Sequence, residues 1–123
     1  MSEQVSWFLE LAVKPGQIDE VRALIAEMVE SAQTEPGALN YQWSISDDES
    51  MIHSYERYAD SDAVLAHLSI FGATFAKRLL AAVEPTRFVV YGDPTDQARD
   101  ALDGFGARYM KPFAGFARYD AVG

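Results

Sequence analysis

Apolar residues along this chain switch between two spacings, and the order of those switches constrains the fold more than any other feature. Near the start, Val5, Trp7, Leu9, Leu11 and Val13 take alternate positions, with Ser6 and Glu10 between them. That is the period of a strand with one buried face. Lys14-Pro15-Gly16 stops it, because proline withholds a ladder N–H and glycine accepts turn geometry. Ile18, Val21, Leu24, Ile25, Met28, Val29 and Ala32 then recur at three- and four-residue steps, opposite Asp19, Glu20, Arg22, Glu27 and Glu30. The spacing predicts an amphipathic helix that ends near Glu35-Pro36-Gly37.

Alternation returns over residues 39–46, with Leu39, Tyr41, Trp43 and Ile45 on one face. The polar turn Asp47-Asp48-Glu49-Ser50 leads into a third strand over 51–58, which predicts an antiparallel hairpin. Asp60 or Ser61 caps a second helical region, which pauses near Gly72 and resumes over 74–83. Glu84-Pro85 closes it, and residues 86–91 read as a fourth strand.

The order βαββαβ predicts an α+β, ferredoxin-like fold: a four-stranded antiparallel sheet with both helices on one face. The other face needs cover. Trp7 or Phe8, and Tyr41 or Trp43, are expected to point toward it, and a large exposed aromatic patch favours association. A homodimer through the sheet faces follows. Residues 1–94 form this domain, and residues 95–123 are a C-terminal extension. It begins with a short helical stretch over 95–102 and continues with Phe105, Tyr109, Phe113, Phe116 and Tyr119. So many aromatics argue for packing on the core or on a partner subunit.

Charge and composition narrow the function. Ten Lys and Arg against nineteen Asp and Glu give a formal charge of -9, which repels nucleic acid and anionic lipid. Nowhere do roughly 18 apolar residues run together, and the N-terminus has no basic, apolar leader pattern. No nucleic-acid or membrane partner is expected, and the reading is cytoplasmic. The chain has no cysteine, so disulfides, thiolate nucleophiles and Cys-ligated metals are out of reach. Gly104-Phe105-Gly106 follows no strand in a βαβ unit and is no nucleotide loop.

Four pieces in order carry a resemblance: Val13-Lys14-Pro15-Gly16, the run Glu35-Pro36-Gly37-Ala38-Leu39-Asn40-Tyr41, the strand Tyr55-Glu56-Arg57-Tyr58-Ala59-Asp60, and Ala66-His67-Leu68. Across roughly residues 5–94 the chain resembles the antibiotic biosynthesis monooxygenase family. The resemblance implies a dimeric α+β barrel. It also implies kinship with oxygenases of quinols and polycyclic aromatics that use no metal or flavin, so no cofactor is expected. Haem-degrading members of the same fold carry an Asn on the first strand, then a Trp and an axial His in the second helical region. Here Leu9 and Glu10, His67, and Phe75 or nearby residues stand in those places, and haem ligation is not expected.

His67 and Glu56 are the candidate catalytic residues. A neutral imidazole beside the expected cavity can take a proton from a phenol. Glu56 can orient it or accept the proton itself. The competing explanations are a helix histidine without a role and a structural carboxylate. His53 and Glu56 lie three apart on a strand, so they face opposite sides and cannot share a metal ion. With two histidines in all, no metal site is expected. Asn40, Tyr41, Trp43 and Tyr58 suit stacking and orienting a planar ligand, although sheet aromatics also build cores and interfaces. Arg78, like Arg57, can attract an anionic quinol or pair with surface acids.

A cofactor-independent monooxygenase acting on a small aromatic substrate leads these readings. A non-catalytic ligand-binding or regulatory dimer, and an acid–base isomerase or cyclase, use the same residues. Sedimentation at low micromolar concentration tests the association: a dimer is expected, and a 13.6 kDa monomer contradicts it.

Overall fold

A computed structural model describes residues 3–118, and Tyr119 lies outside the described residues. The elements run β1 (Val5–Val13), α1 (Ile18–Gln33), β2 (Ala38–Ile45), β3 (Met51–Tyr58), α2 (Ser61–Thr74), α3 (Ala76–Ala82), β4 (Val83–Tyr91), α4 (Asp96–Asp103) and β5 (Arg108–Met110). The βαββαβ order and the ferredoxin-like α+β class read from the sequence are those of the structure.

The sheet differs in detail. It has five strands in the order β2-β3-β1-β4-β5, because the chain returns after α4 and lays β5 parallel to β4, Val90 beside Tyr109. The other pairings are antiparallel. Two boundaries also shift. The second helical region breaks at Phe75, not Gly72, and α2 and α3 meet at 69°. β4 begins at Val83, so Glu84-Pro85 lies inside the strand. Its register against β1 slips there, Glu10 facing Arg87 and Leu11 facing Pro85, and such an irregularity is where a strand tolerates proline.

Pairing sets which side chains share a face. Val90, Trp7, Glu56 and Tyr41 form one cross-strand row, and Phe88, Leu9, Ser54 and Trp43 form the next. Both rows face the helices. Tyr41 and Trp43 therefore point inward together with Trp7, which corrects the expectation that one of the β2 aromatics covers the outer face. Phe8, Tyr55 and Tyr91 stand on the outer face instead, Phe8 opposite Tyr55. Tyr55 and Tyr91 are exposed.

The core falls into two parts. Leu11, Val21, Leu24, Met28, Ile52, Phe75, Leu79 and Ala82 fill the space under α1 and α3. Val5, Trp7, Tyr58, Val64, Phe88 and Val90 fill the other, where Ala98 and Leu102 of α4 are also fully buried. Thr95 caps α4 by accepting from the Ala98 N–H, and Asp60 caps α2 by accepting from the Ala63 N–H. Residues 111–118 follow β5, and Phe113 and Phe116 there are 97% and 82% exposed. Among the described residues no single helix is long and apolar enough to cross a membrane.

Candidate active site

Between sheet and helices lies a cavity of about 250 Å³. Its inner lining includes Trp7, Leu9, Leu11, Met28, Tyr41, Trp43 and Phe88, and its ionisable members include Glu56 and His67. Apolar walls around a few convergent polar groups are the usual make-up of a small-molecule site.

Strand register places Glu56 on the inner face of β3, where it is 3% exposed. A carboxylate so far from water needs donors. Ser54 Oγ donates to Oε2 at 2.7 Å and Tyr58 OH donates to Oε1 at 2.6 Å. Both donors lie two residues away on the same strand face, so the period of the strand itself builds the cradle. With both oxygens accepting, the arrangement is that of an ionised carboxylate.

His67 reaches the same place from α2. Its Nδ1 lies 3.1 Å from each carboxylate oxygen of Glu35, and its Nε2 lies 3.4 Å from Glu56 Oε1. Glu35 stands just past the end of α1, with its side chain only 9% exposed. A helix C-terminus disfavours a carboxylate, so the hydrogen bond with His67 accounts for its position better than the helix does. Gly37 makes the approach possible. A Cβ there would sit 2.5 Å from the Ala63 Cβ, so only glycine lets this turn close on α2. The carboxylate fixes the Nδ1 edge as a donor. Glu56 and His67 border the main cavity while Glu35 does not, which leaves the Nε2 edge toward the cavity.

Aromatic rings surround the imidazole: Tyr58 at 5.0 Å, Tyr41 at 5.6 Å and Trp7 at 6.2 Å between centroids. The indole N–H of Trp43 is buried with no hydrogen-bond partner among the described residues.

The candidate residues thus separate into groups. His67, Glu56, Tyr41 and Trp43 line the cavity. Tyr58 sits behind it, fully buried, and holds Glu56. Asn40 accepts from Arg57 Nε at 2.7 Å and belongs by register to the outer face. Arg78 pairs with Glu27 at 3.1 Å on the surface and lies over Phe75. Neither Asn40 nor Arg78 borders the cavity. Sequence reasoning missed Glu35 and Ser54. The signal for Glu35 was present in a carboxylate set at the wrong end of a helix. His53 lies on the outer face, 2.9 Å from Glu10, away from Glu56. Hydrogen bonds from Thr86 and His53 hold the Glu10 carboxyl below the usual range. Among the described residues no group of three or more His, Asp or Glu is arranged to hold a metal ion.

Fold and site together define a ferredoxin-like α+β protein with an apolar cavity floored by a histidine between two carboxylates. The sequence model of the family described as antibiotic biosynthesis monooxygenase matches residues 7–70, just over half of the chain, and the chain belongs to that family. No curated protein sequence matches it. Among solved structures it is similar to MupZ from Pseudomonas fluorescens, with a TM-score of 0.85 and 21% identity over 96% of this chain and 91% of that one. SnoaB, a cofactor-independent oxygenase from Streptomyces nogalater, superposes with a TM-score of 0.65 and 17% identity over 76% of this chain and 96% of its own. A conserved protein from Methanosarcina mazei Go1 gives 0.64 and 18% over 72% and 90%. These likenesses are of fold.

Burial, reinforced by the charge of Glu56, pushes the phenols of Tyr41 and Tyr58 above the usual tyrosine range. Both stay neutral while the fold holds. The unfolded chain ionises its tyrosines from about pH 10. Folding stability is therefore unaffected by these groups below that pH and is lost as pH rises above it. In an alkaline absorbance titration of the six tyrosines, part of the signal should appear only together with the loss of circular dichroism. Titration of all six near pH ~10 with the fold intact contradicts this assignment.

Proposed function

We propose that this protein is a cofactor-independent monooxygenase of a small phenolic substrate, with His67 as the base. The observation that carries the reading is the Glu35–His67 pair at the floor of an aromatic cavity. With Nδ1 held as donor to Glu35, the neutral imidazole presents its Nε2 lone pair to a bound hydroxyl. Proton transfer then creates an imidazolium between Glu35 and Glu56, where its charge is stabilised on both sides. Glu56 is the second candidate acceptor, although Ser54 and Tyr58 already occupy its oxygens.

The phenolate left behind is electron-rich enough to reduce dioxygen without an external reductant. For a hydroquinone, one oxygen atom enters the ring and the other leaves as water, and the quinol becomes a hydroxyquinone. Atoms and electrons balance on substrate and dioxygen alone. The protein supplies a base, a dry cavity and orientation. Tyr41 and Trp43, both on the lining, stack on the ring. The family membership and the likeness in fold to SnoaB support this chemistry. The working form in this reading is a cytoplasmic homodimer joined through the outer sheet face that bears Phe8, Tyr55 and Tyr91.

Oxygen uptake with a panel of hydroquinones and naphthohydroquinones tests the proposal. His67→Ala should lower turnover by about 10²-fold or more, the usual contribution of a positioned base, and Glu35→Gln should lower kcat with little change in KM. His53→Ala is the control and should leave the rate unchanged. Wild-type turnover in His67→Ala, with circular dichroism intact, contradicts the role. Conversion of a phenol without oxygen consumption points instead to an acid–base isomerase or cyclase, and binding without conversion to a regulatory dimer.

A further inference from the structure

The cavity is a funnel with a definable mouth. Its floor residues Trp7, Glu56, His67 and Phe88 are all buried, whereas Leu80 and Phe105 on its rim are 45% and 43% exposed. Pro85 and Gly104, also on the lining, are exposed as well. The way in therefore passes between α3 with the start of β4 on one side and the turn after α4 on the other.

That turn belongs to the C-terminal extension, and it is braced at both ends. On the α4 side, Leu102 is fully buried, and its carbonyl accepts from the Phe105 N–H at 2.9 Å. On the β5 side, Tyr109 donates to Asp103 at 2.6 Å, and Arg99 lies 4.3 Å over its ring. Gly106 takes a positive φ of 77° and turns the chain back toward the sheet. Phe105, at the apex, meets Phe71 of α2 edge-on, with 6.0 Å between centroids. The turn that carries this ring is braced at both ends, and the ring itself rests on Phe71 at the cavity rim.

The volume enclosed behind this turn sets a size. About 250 Å³ falls between the roughly 150 Å³ of a cavity that takes benzene and the ~300 Å³ at which pockets for drug-sized ligands begin. Resting on the reading of this cavity as the substrate site, we infer that the extension acts as the specificity wall through Phe105, restricting the site to phenolic molecules of one or two fused rings.

Calorimetric titration of the full chain with phenol, β-naphthol and alizarin tests this without any turnover. In the wild type β-naphthol should bind about tenfold or more tighter than the three-ring alizarin, since overfilling a packed cavity costs at least that factor. Phe105→Ala should abolish the difference by strengthening alizarin, and Phe105→Leu should fall between, with thermal unfolding confirming that both variants are folded. Equal binding of the two ligands by the wild type, an unchanged ratio in Phe105→Ala, or no binding of any of the three overturns the inference. The outcome is separable from the chemistry. If His67→Ala proves to turn over normally, the size ranking and its dependence on Phe105 still stand or fall on these titrations.

Discussion

An ionised carboxylate withdrawn from water costs several kcal/mol unless its oxygens are satisfied, and Glu56 is 3% exposed. The rest of the site depends on how that demand is met. Ser54 and Tyr58 donate to its two oxygens from the same strand face, which ties the middle of β3 to one chemistry. His67 of α2 reaches the same carboxylate, and burial, reinforced by the charge of Glu56, holds the neighbouring phenols above the usual tyrosine range. Glu35 completes the arrangement from the opposite side of the ring. Four elements, α1 through its C-terminal turn, β2, β3 and α2, are thereby drawn to one point, around which the aromatic cross-strand rows leave room for a ligand.

The period of the apolar residues made most of the fold legible. Strands and helices alternate along β1, α1, β2 and β3 in spacing and position as read, because local hydrophobic pattern and tertiary burial agree there. Agreement fails where a tertiary partner decides. Glu84-Pro85 looks like a stop, yet a register slip against β1 lets the strand absorb it. β5 is three residues long, too short for a period to register, and exists because α4 returns the chain to the edge of β4. Tyr41 and Trp43 alternate cleanly, but alternation alone does not say which face looks inward. Pairing with Glu56 and Ser54 does.

Within the site the same division holds. His67 and Glu56 were found from residue type and family position, and both border the cavity. The charge of Arg78 suits an anionic ligand, but a nearby Glu27 claims it on the surface. The amide of Asn40 suits a ligand contact, but its register sends it outward to Arg57. In sequence, Glu35 marks only a helix end. Its pairing with His67 spans 32 residues of sequence, and it depends on Gly37 letting the turn press against Ala63, a contact no local pattern encodes.

In the proposed reaction a phenolic hydroxyl seats at Nε2 of His67 while Nδ1 stays bonded to Glu35. Nitrogen NMR of the two histidine rings, followed as β-naphthol is added, measures this directly. The Nε2 resonance of His67 should move with saturation, its Nδ1 should keep the signature of a hydrogen-bonded N–H, and His53 on the outer face should stay still. A His67 ring that does not respond while β-naphthol binds, or one whose Nδ1 proton is lost on binding, contradicts this geometry.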